Sequence, residues 1–194
     1  MSAPTFSPAA CTSEEDDDRA LLERYRRGDR NAFTALVVRY QRAIYNAAFW
    51  VLRKHEDASD IAQTVFLKVA ERADDYDPKY KFFSWIYRIA VNESLNLLRR
   101  HGHESELEDD VEIPDEADTG PERRASAAEL GRQVRSMLMT LSTTDRLVIT
   151  LRHFSECSYE DMAEIMDVDE KTVKSRLFEA RRRLRNLLKE AYAP

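Results

Sequence analysis

Along most of the chain, apolar residues recur three and four positions apart, the spacing of a helix with one buried face. This spacing predicts helices near 19–28, 30–53, 56–74 and 82–100, and again through 126–192. Within "HEDASDIAQTVFLKVAER", residues 55–72, a turn of about 100° per residue collects Ala58, Ile61, Ala62, Val65, Phe66 and Val69 on one arc. Asp57, Ser59, Asp60, Gln63 and Thr64 fall on the other, with Leu67 among them. The pattern breaks at "DDYDPKYK", where Pro78 lacks an amide donor and turns Asp77 away from helix. Farther on, Ser142 with Asp145 and Ser158 with Asp161 have the spacing of capping boxes, and Asp169 can cap a third helix. With only four Gly among 194 residues and abundant Leu, Ala, Arg and Glu, the expected fold is all-α.

Charge divides the chain further. The formal net charge is −6, yet residues 1–18 and 104–118 together hold fourteen acids and no Lys or Arg, so the rest carries +8. A basic body points toward nucleic acid. Residues 1–18 read as a disordered acidic tail. Residues 101–128 contain two Pro, two Gly and the nine-acid run, and read as a flexible linker extended by self-repulsion. The expected organisation is two small helical domains, 19–100 and 129–192, joined by that acidic linker. No apolar stretch approaches the roughly 20 residues that span a bilayer. The first residues lack the basic-then-apolar order of a signal peptide, and Cys11 and Cys157 form no motif, so a reducing cytoplasm and no membrane are expected.

The stretch "SYEDMAEIMDVDEKTVKSRLFEARRRLRNLL" is the most informative. A first helix would bury Met162, Ala163, Ile165 and Met166, and Asp167–Val168–Asp169 would turn the chain. A second would bury Val173, Leu177, Ala180, Leu184 and Leu187, while Lys171, Lys174, Arg176, Arg181, Arg182, Arg183, Arg185 and Lys189 crowd its other faces. Two helices joined tightly, the second basic, form a helix-turn-helix, whose second helix enters the major groove. Lys171, Thr172, Lys174, Ser175 and Arg176 are the residues expected at DNA. A solvated basic helix in a bundle is the plainer alternative.

"YKFFSWIYRIAVNESLNLLRR", residues 80–100, concentrates four aromatics between Phe82 and Tyr87, with Lys79, Lys81, Arg88, Arg99 and Arg100 interleaved or nearby. Two readings stand. Phe82, Ile86, Ile89 and Leu97 have the spacing of an inward face, and the cluster is then core. Alternatively Trp85 and Tyr87 offer stacking surfaces to unpaired bases, cations track the backbone, and the Asn92 amide reads a base edge.

Together these segments resemble the extracytoplasmic-function (ECF) group of bacterial RNA polymerase sigma factors. "DASDIAQTVFLKV", "FFSWIYRIAVN" with "LNLLRR", and "LSTTDRLVITLRHFSECSYEDMAEIMDVDEKTVKSRLFEARRRLR" carry the resemblance, which covers about residues 19–190. It implies that the first domain docks on the clamp helices of core RNA polymerase and melts the −10 promoter element. The second would bind the flap tip and read the −35 element. It also implies that Asn92 lies at a base pocket, Trp85 and Tyr87 near the melted strand, and Lys174, Ser175 and Arg176 at the −35 groove. The loop "YDPKYK", residues 76–81, takes the place of the −10 specificity loop. The acidic linker would follow polymerase channels lined for nucleic acid. An anti-sigma factor is a common partner in such a family.

One departure stands out. The family commonly writes Asp-Ala-Glu-Asp, then after two residues Gln-Glu, on the polymerase-facing arc. This chain has Asp57, Ala58, Ser59, Asp60, then Gln63, Thr64, so two acids are hydroxyls. Either Ser59 and Thr64 are neutral substitutions, or a Ser/Thr kinase restores charge there, Thr64 first, since it lies on the face of Asp57 and Asp60. No phosphate loop, metal-ligand set or other cofactor motif accompanies these features, since His153 and Cys157 supply only two ligands where a structural zinc takes four. The expected protein is not an enzyme. The alternative function is a conventional helix-turn-helix regulator that binds duplex operators without being a polymerase subunit.

Overall fold

A computed structural model describes residues 15–101, 131 and 133–191. Among these residues the fold is all-α, with no strand. The helices are α1 (Glu15–Arg26), α2 (Arg30–Leu52), α3 (His55–Glu71), α4 (Phe82–Arg100), α5 (133–140), α6 (Thr143–His153), α7 (Tyr159–Met166) and α8 (Glu170–Ala191). A single 3-10 turn, Ala73–Asp75, occupies the end of the segment read as one helix to residue 74.

The first four helices form one layer of packing around α2, which touches α1, α3 and α4. Its inward stripe of Leu36, Tyr40, Ile44, Ala48 and Val51 is fully buried, as a period near 3.6 requires. Gly28, with φ +96°, ends α1. Its amide bonds Tyr25 O at 2.8 Å and the next amide, of Asp29, bonds Arg24 O at 3.0 Å, a Schellman closure that a side chain at Gly28 would strain. Asp29 then caps α2 by accepting from the Asn31 amide at 3.0 Å.

The expected tail ends too late. Residues 15–18 open α1, and Asp18 is only 2% exposed, accepting from Arg39 and the Tyr40 hydroxyl of α2. A run of acids reads locally as solvated, but here one of them is the anchor of α1 on α2. Residues 1–14 and nearly all of the linker fall outside the described residues.

The last four helices carry the helix-turn-helix, α7 and α8. Ser158 Oγ accepts from the Asp161 amide at 3.0 Å, and Asp161 Oδ2 accepts from the Ser158 amide at 3.0 Å, a complete capping box. Asp167 ends α7 in the left-handed region at φ 54°, a conformation Asp tolerates better than most residues. Asp169 caps α8 through the Thr172 amide at 2.7 Å and hydroxyl at 3.0 Å. The spacing at α6 forms only half a box. Ser142 Oγ accepts from the Asp145 amide at 3.2 Å, but the Asp145 carboxylate turns to Arg183 of α8. Replacing Ser158 with alanine removes one half of a box that starts a helix of eight residues. A loss of about 1–2 kcal/mol is expected in urea unfolding.

The two groups of helices pack on each other. α4 lies against α7, and α2 against α6. At the second contact sits Arg146, 2% exposed. Its guanidinium donates to Trp50 O, to Val51 O at 3.4 Å, to Leu141 O at 3.0 Å and to Met139 O at 3.3 Å. Burial, with Arg53 nearby, pushes its pKa down to about 10, so it stays charged at neutral pH.

Candidate nucleic-acid interface

α4 is helical from Phe82 onward because Pro78 and the Asp77 turn stop any continuation from α3. Asp77 Oδ1 accepts from the Lys79 amide at 2.9 Å, and the Tyr76 hydroxyl ties Tyr80 O at 2.7 Å. Once α4 begins, steps of about 100° place Lys81, Trp85, Arg88 and Asn92 on one face. Asn92 is exposed and Trp85 half-buried, its ring 5.3 Å from Tyr76 and 5.8 Å from Phe82. Lys79 is exposed in the loop, its ammonium 5.4 Å from the Tyr80 ring centre. Tyr87 points elsewhere. It is 3% exposed, its ring 4.2 Å from Phe83 and its hydroxyl 3.4 Å from Ser155 Oγ of the second helical group. Of the two aromatics read as stacking surfaces, Trp85 thus keeps an open edge and Tyr87 is core in this arrangement. Phe82 and Ile86 are fully buried, as the inward-face reading requires.

Two cations of this face hold acids of α7 and its end. Lys81 Nζ is 2.8 Å from Asp161 Oδ1, and Arg88 Nη2 is 2.8 Å from Asp167 Oδ1. Burial opposes ionisation of Asp161, but hydrogen bonds from Lys81 and Ser158 outweigh it and hold its pKa below the usual carboxylate value. Neighbouring Glu164 goes the other way, pushed up chiefly by burial and further by Asp161 and Glu160.

On α8 the buried stripe is Val173, Leu177 and Ala180, with Leu184 and Leu187 packed at its edge. This leaves Lys171, Lys174 and Ser175 exposed and Thr172 and Arg176 half-buried in the first two turns. Thr172 is committed to the Asp169 cap. Lys174 lies 2.6 Å from Glu170 and over the Tyr159 ring at 5.2 Å. These contacts preset its direction, and the exposed Glu170 pair is weak enough to be exchanged for a phosphate. His153 and Cys157 do not converge: His153 Nε2 faces Arg181, and Cys157 is buried with its thiol toward Ser155 O.

On α3 the apolar arc is inside: Ala58, Ile61, Val65, Phe66 and Val69 are buried. Ser59, Asp60 and Gln63 are exposed, Leu67 is 64% exposed, and Asp57 and Thr64 are half-buried at the flank toward α4. There Lys68 pairs with Glu93 at 2.6 Å, and His101 Nδ1 is 3.9 Å from Asp57. Sequence reasoning did not find Asp161, Asp167 or Arg146 as contacts between the helical groups. Their partners lie about 80 or more residues away, and no local spacing signals them.

The chain has the two expected sequence families in the expected order. A Sigma-70 region 2 family model matches residues 36–104 and a Sigma-70, region 4 model matches residues 131–184. The ECF RNA polymerase sigma-E factor of Haemophilus influenzae is 36% identical over 184 residues, covering 90% of this chain and 96% of that one. The RNA polymerase sigma-H factor of Pseudomonas aeruginosa is 34% identical over 191 residues, covering 91% and 98%. Among solved structures, CnrH in complex with the cytosolic domain of CnrY is similar at a TM-score of 0.67 and 30% identity, over 89% of this chain and 97% of that one. The sigma factor RpoE in complex with the anti-sigma factor NepR from Bartonella quintana has a TM-score of 0.64 at 29% identity, over 81% and 96%. No described helix is long and apolar enough to cross a membrane. With two region models in order and full-length relatives above 30% identity, this chain belongs to the ECF family of RNA polymerase sigma factors, whose members are transcription-initiation subunits.

Proposed function

We propose that this chain binds core RNA polymerase, recognises the −10 and −35 elements of its promoters and starts transcription of a signal- or stress-dependent set of genes. The observation that carries this reading is the pairing of two different DNA-facing surfaces in one chain. One is a basic helix-turn-helix built for duplex, α7–α8. The other is the face of α4 bearing Lys81, Trp85, Arg88 and Asn92 beside the Lys79 loop, suited to an unpaired strand. A duplex reader alone suits an operator-binding regulator. Melting also needs a trap for single strands, and joining the two through a linker raises the effective concentration of each at its site.

In this reading Lys171, Thr172, Lys174, Ser175 and Arg176 address the −35 element, and Lys79, Lys81, Trp85, Arg88 and Asn92 address the −10 element, while Tyr87, buried against Phe83, supports that face from inside. Asp57, Asp60, Gln63 and Thr64 face polymerase. An anti-sigma protein is the expected antagonist, since CnrH and RpoE were each captured with a partner. A Ser/Thr kinase acting on Thr64, or on Ser59, would set the charge of the polymerase-facing arc.

The test is co-elution of the purified chain with core RNA polymerase, followed by run-off transcription from promoters mapped by sequencing RNA 5′ ends after overexpression. Specific initiation is expected. Asn92→Ala should reduce open-complex formation roughly tenfold or more while leaving co-elution intact, since losing one base-edge contact is worth about 1–3 kcal/mol. A symmetric footprint on duplex DNA without polymerase would replace this reading by an operator-binding regulator.

A further inference from the structure

The loop at residues 76–81 has its own internal ties. The Tyr76 hydroxyl donates to Tyr80 O at 2.7 Å, the Tyr80 amide to Asp77 O at 3.1 Å, and the Lys79 amide to Asp77 Oδ1 at 2.9 Å. These bonds give the loop a shape, but they do not fix that shape to the helices, since residues 77–80 are exposed. The attachment is made by the buried Tyr76 ring and, from outside the loop, by Arg26 at the end of α1. Arg26 Nε donates to Ala73 O at 2.9 Å, and Nη2 donates to the same oxygen and to Tyr76 O at 3.3 Å. Nη1 turns back to Glu23, one turn earlier on α1, which sets the plane of the fork. Asp74, at 3.5 Å and 94% exposed, adds only a screened contact at the rim.

We propose that Arg26 is a positioning residue for −10 recognition. It holds the two carbonyls through which the chain enters the loop, and so sets where Tyr76, the loop and the Trp85 ring stand when an unpaired strand arrives. The proposal rests on the assignment of this loop and of Trp85 to the −10 element given above. The link runs through Tyr76, which is buried. Its carbonyl is held by Arg26, its ring packs 5.3 Å from Trp85 and 5.9 Å from Phe82, and its hydroxyl ties Tyr80. A shift of Tyr76 moves the stacking ring and the loop together. Arginine suits the task, because one planar group serves two carbonyls at once and its charge strengthens both bonds. α1 has other anchors for its own packing: Leu21 and Leu22 are buried, Asp18 bonds Arg39 and Tyr40, and the Tyr25 ring lies 4.7 Å from Phe33. What Arg26 adds is reach, to carbonyls 47 and 50 residues farther along the chain. It makes α1, which bears no promoter contact of its own, a part of the −10 reader.

The experiment uses the full chain assembled with core polymerase on a mapped promoter. Open complexes are measured by permanganate reactivity of unpaired thymines downstream of the −10 element. The promoter is used as mapped and with single-base replacements in the −10 or the −35 element, and the ratio gives a discrimination factor for each element. Arg26→Gln removes both fork and charge, and Arg26→Lys keeps the charge without the fork. Arg24→Gln removes an equal charge from the same helix, where Arg24 pairs with Asp29 at 2.7 Å. Equal charge matters, because DNA affinity responds to every cation near the backbone. A thermal melt and co-elution with core polymerase accompany each variant. If Arg26→Gln fails to fold, Glu23→Gln decides, since it frees the fork to swing without removing a donor and Glu23 is exposed.

Arg26→Gln is expected to lower open-complex formation on the mapped promoter roughly three- to tenfold and −10 discrimination by a similar factor, the scale of one misplaced base contact. Its −35 discrimination and co-elution should stay at the level of Arg24→Gln. Arg26→Lys should fall within about twofold of Arg26→Gln, because an ammonium cannot replace the fork. Glu23→Gln should lose roughly twofold in −10 discrimination, as expected for releasing one half-exposed ion pair. Equal −10 discrimination in Arg26→Gln and Arg24→Gln, or no change in Glu23→Gln where that variant decides, overturns the proposal and leaves the promoter reading intact. Equal losses at −10 and −35 also overturn it, since they mark an arginine that serves the fold alone. A parent chain that discriminates at −35 but not at −10 overturns the assignment of the loop, and the proposal with it.

Discussion

Replacing Arg146 with methionine is expected to destabilise the chain by about 3–5 kcal/mol, read as a lowered urea midpoint at unchanged slope, because the change strands several buried carbonyls at once. The last turn of any helix leaves its carbonyls without intrahelical donors. At the end of α2, Arg53 in the left-handed conformation returns its amide to Phe49 O at 2.8 Å. The next two carbonyls, of Trp50 and Val51, accept instead from Arg146, brought by α6 from the other helical group. The same planar group reaches Met139 O and Leu141 O at the chain entering α6. A positive charge at the negative end of a helix dipole adds to these bonds, and both are strengthened by the exclusion of water around a side chain 2% exposed. Methionine keeps most of the volume and removes every donor. Arg146→Lys retains the charge but not the fork, and an ammonium cannot serve carbonyls on two sides at once, so it should recover less than half of the loss. A loss under about 1 kcal/mol for Arg146→Met would show that these carbonyls find water when the guanidinium goes.

Arg146 also shows where the sequence stopped being readable. In "RLVITLRHF" a single Arg before an apolar run looks like a solvated position at the start of an amphipathic helix. Its burial depends on Trp50 and Val51, about 95 residues earlier, and nothing local encodes that. Asp18 failed for the same reason. Five acids in a row describe a tail until Arg39 and Tyr40 of another helix are placed beside one of them. By contrast, the helix-turn-helix was legible because its determinants are all local: a Ser158–Asp161 box, a three-residue turn that Asp tolerates, a cap at Asp169, and a 4-3 apolar stripe from Val173. At Ser142 the same local rule gave half an answer. A carboxylate at the capping position is free to choose, and Asp145 chose Arg183. On α4 the cations and aromatics were visible in the sequence, but their sorting was not. Periodicity alone puts Tyr87 and Trp85 on different faces, yet only the packing of α7 decides that Tyr87 is the one covered.

Phosphorylation of Thr64 is expected to tighten binding to core polymerase by roughly five- to thirtyfold, the equivalent of about 1–2 kcal/mol for a surface gaining nearly two charges. The geometry of α3 sets both the size and the limits of that effect. Asp60 is exposed and Asp57 half-buried on the flank where Thr64 sits, so a phosphate there would join two carboxylates in one acidic strip. Lys68, one turn beyond Thr64, is held by Glu93 at 2.6 Å. With its ammonium already paired across to α4, Lys68 is less available to cancel a phosphate at i−4 than an unpaired lysine would be. Exposed Leu67 lies beside the strip and supplies apolar contact area for a docked helix. Thr64→Glu restores one charge, shorter and less directed than a phosphate, and should recover only part of the gain, roughly three- to fivefold. Thr64→Ala should keep the basal affinity and respond to no kinase. Ser59 is exposed on the far side of the arc from Asp57, so Ser59→Ala should leave the response to phosphorylation intact. The measurement is the dissociation constant for core polymerase of each form, with and without treatment by a candidate Ser/Thr kinase, alongside run-off transcription. If the phosphorylated chain, Thr64→Glu and Thr64→Ala bind with one affinity, the hydroxyls at 59 and 64 are neutral replacements, and the remaining acids with Leu67 suffice to dock the helix.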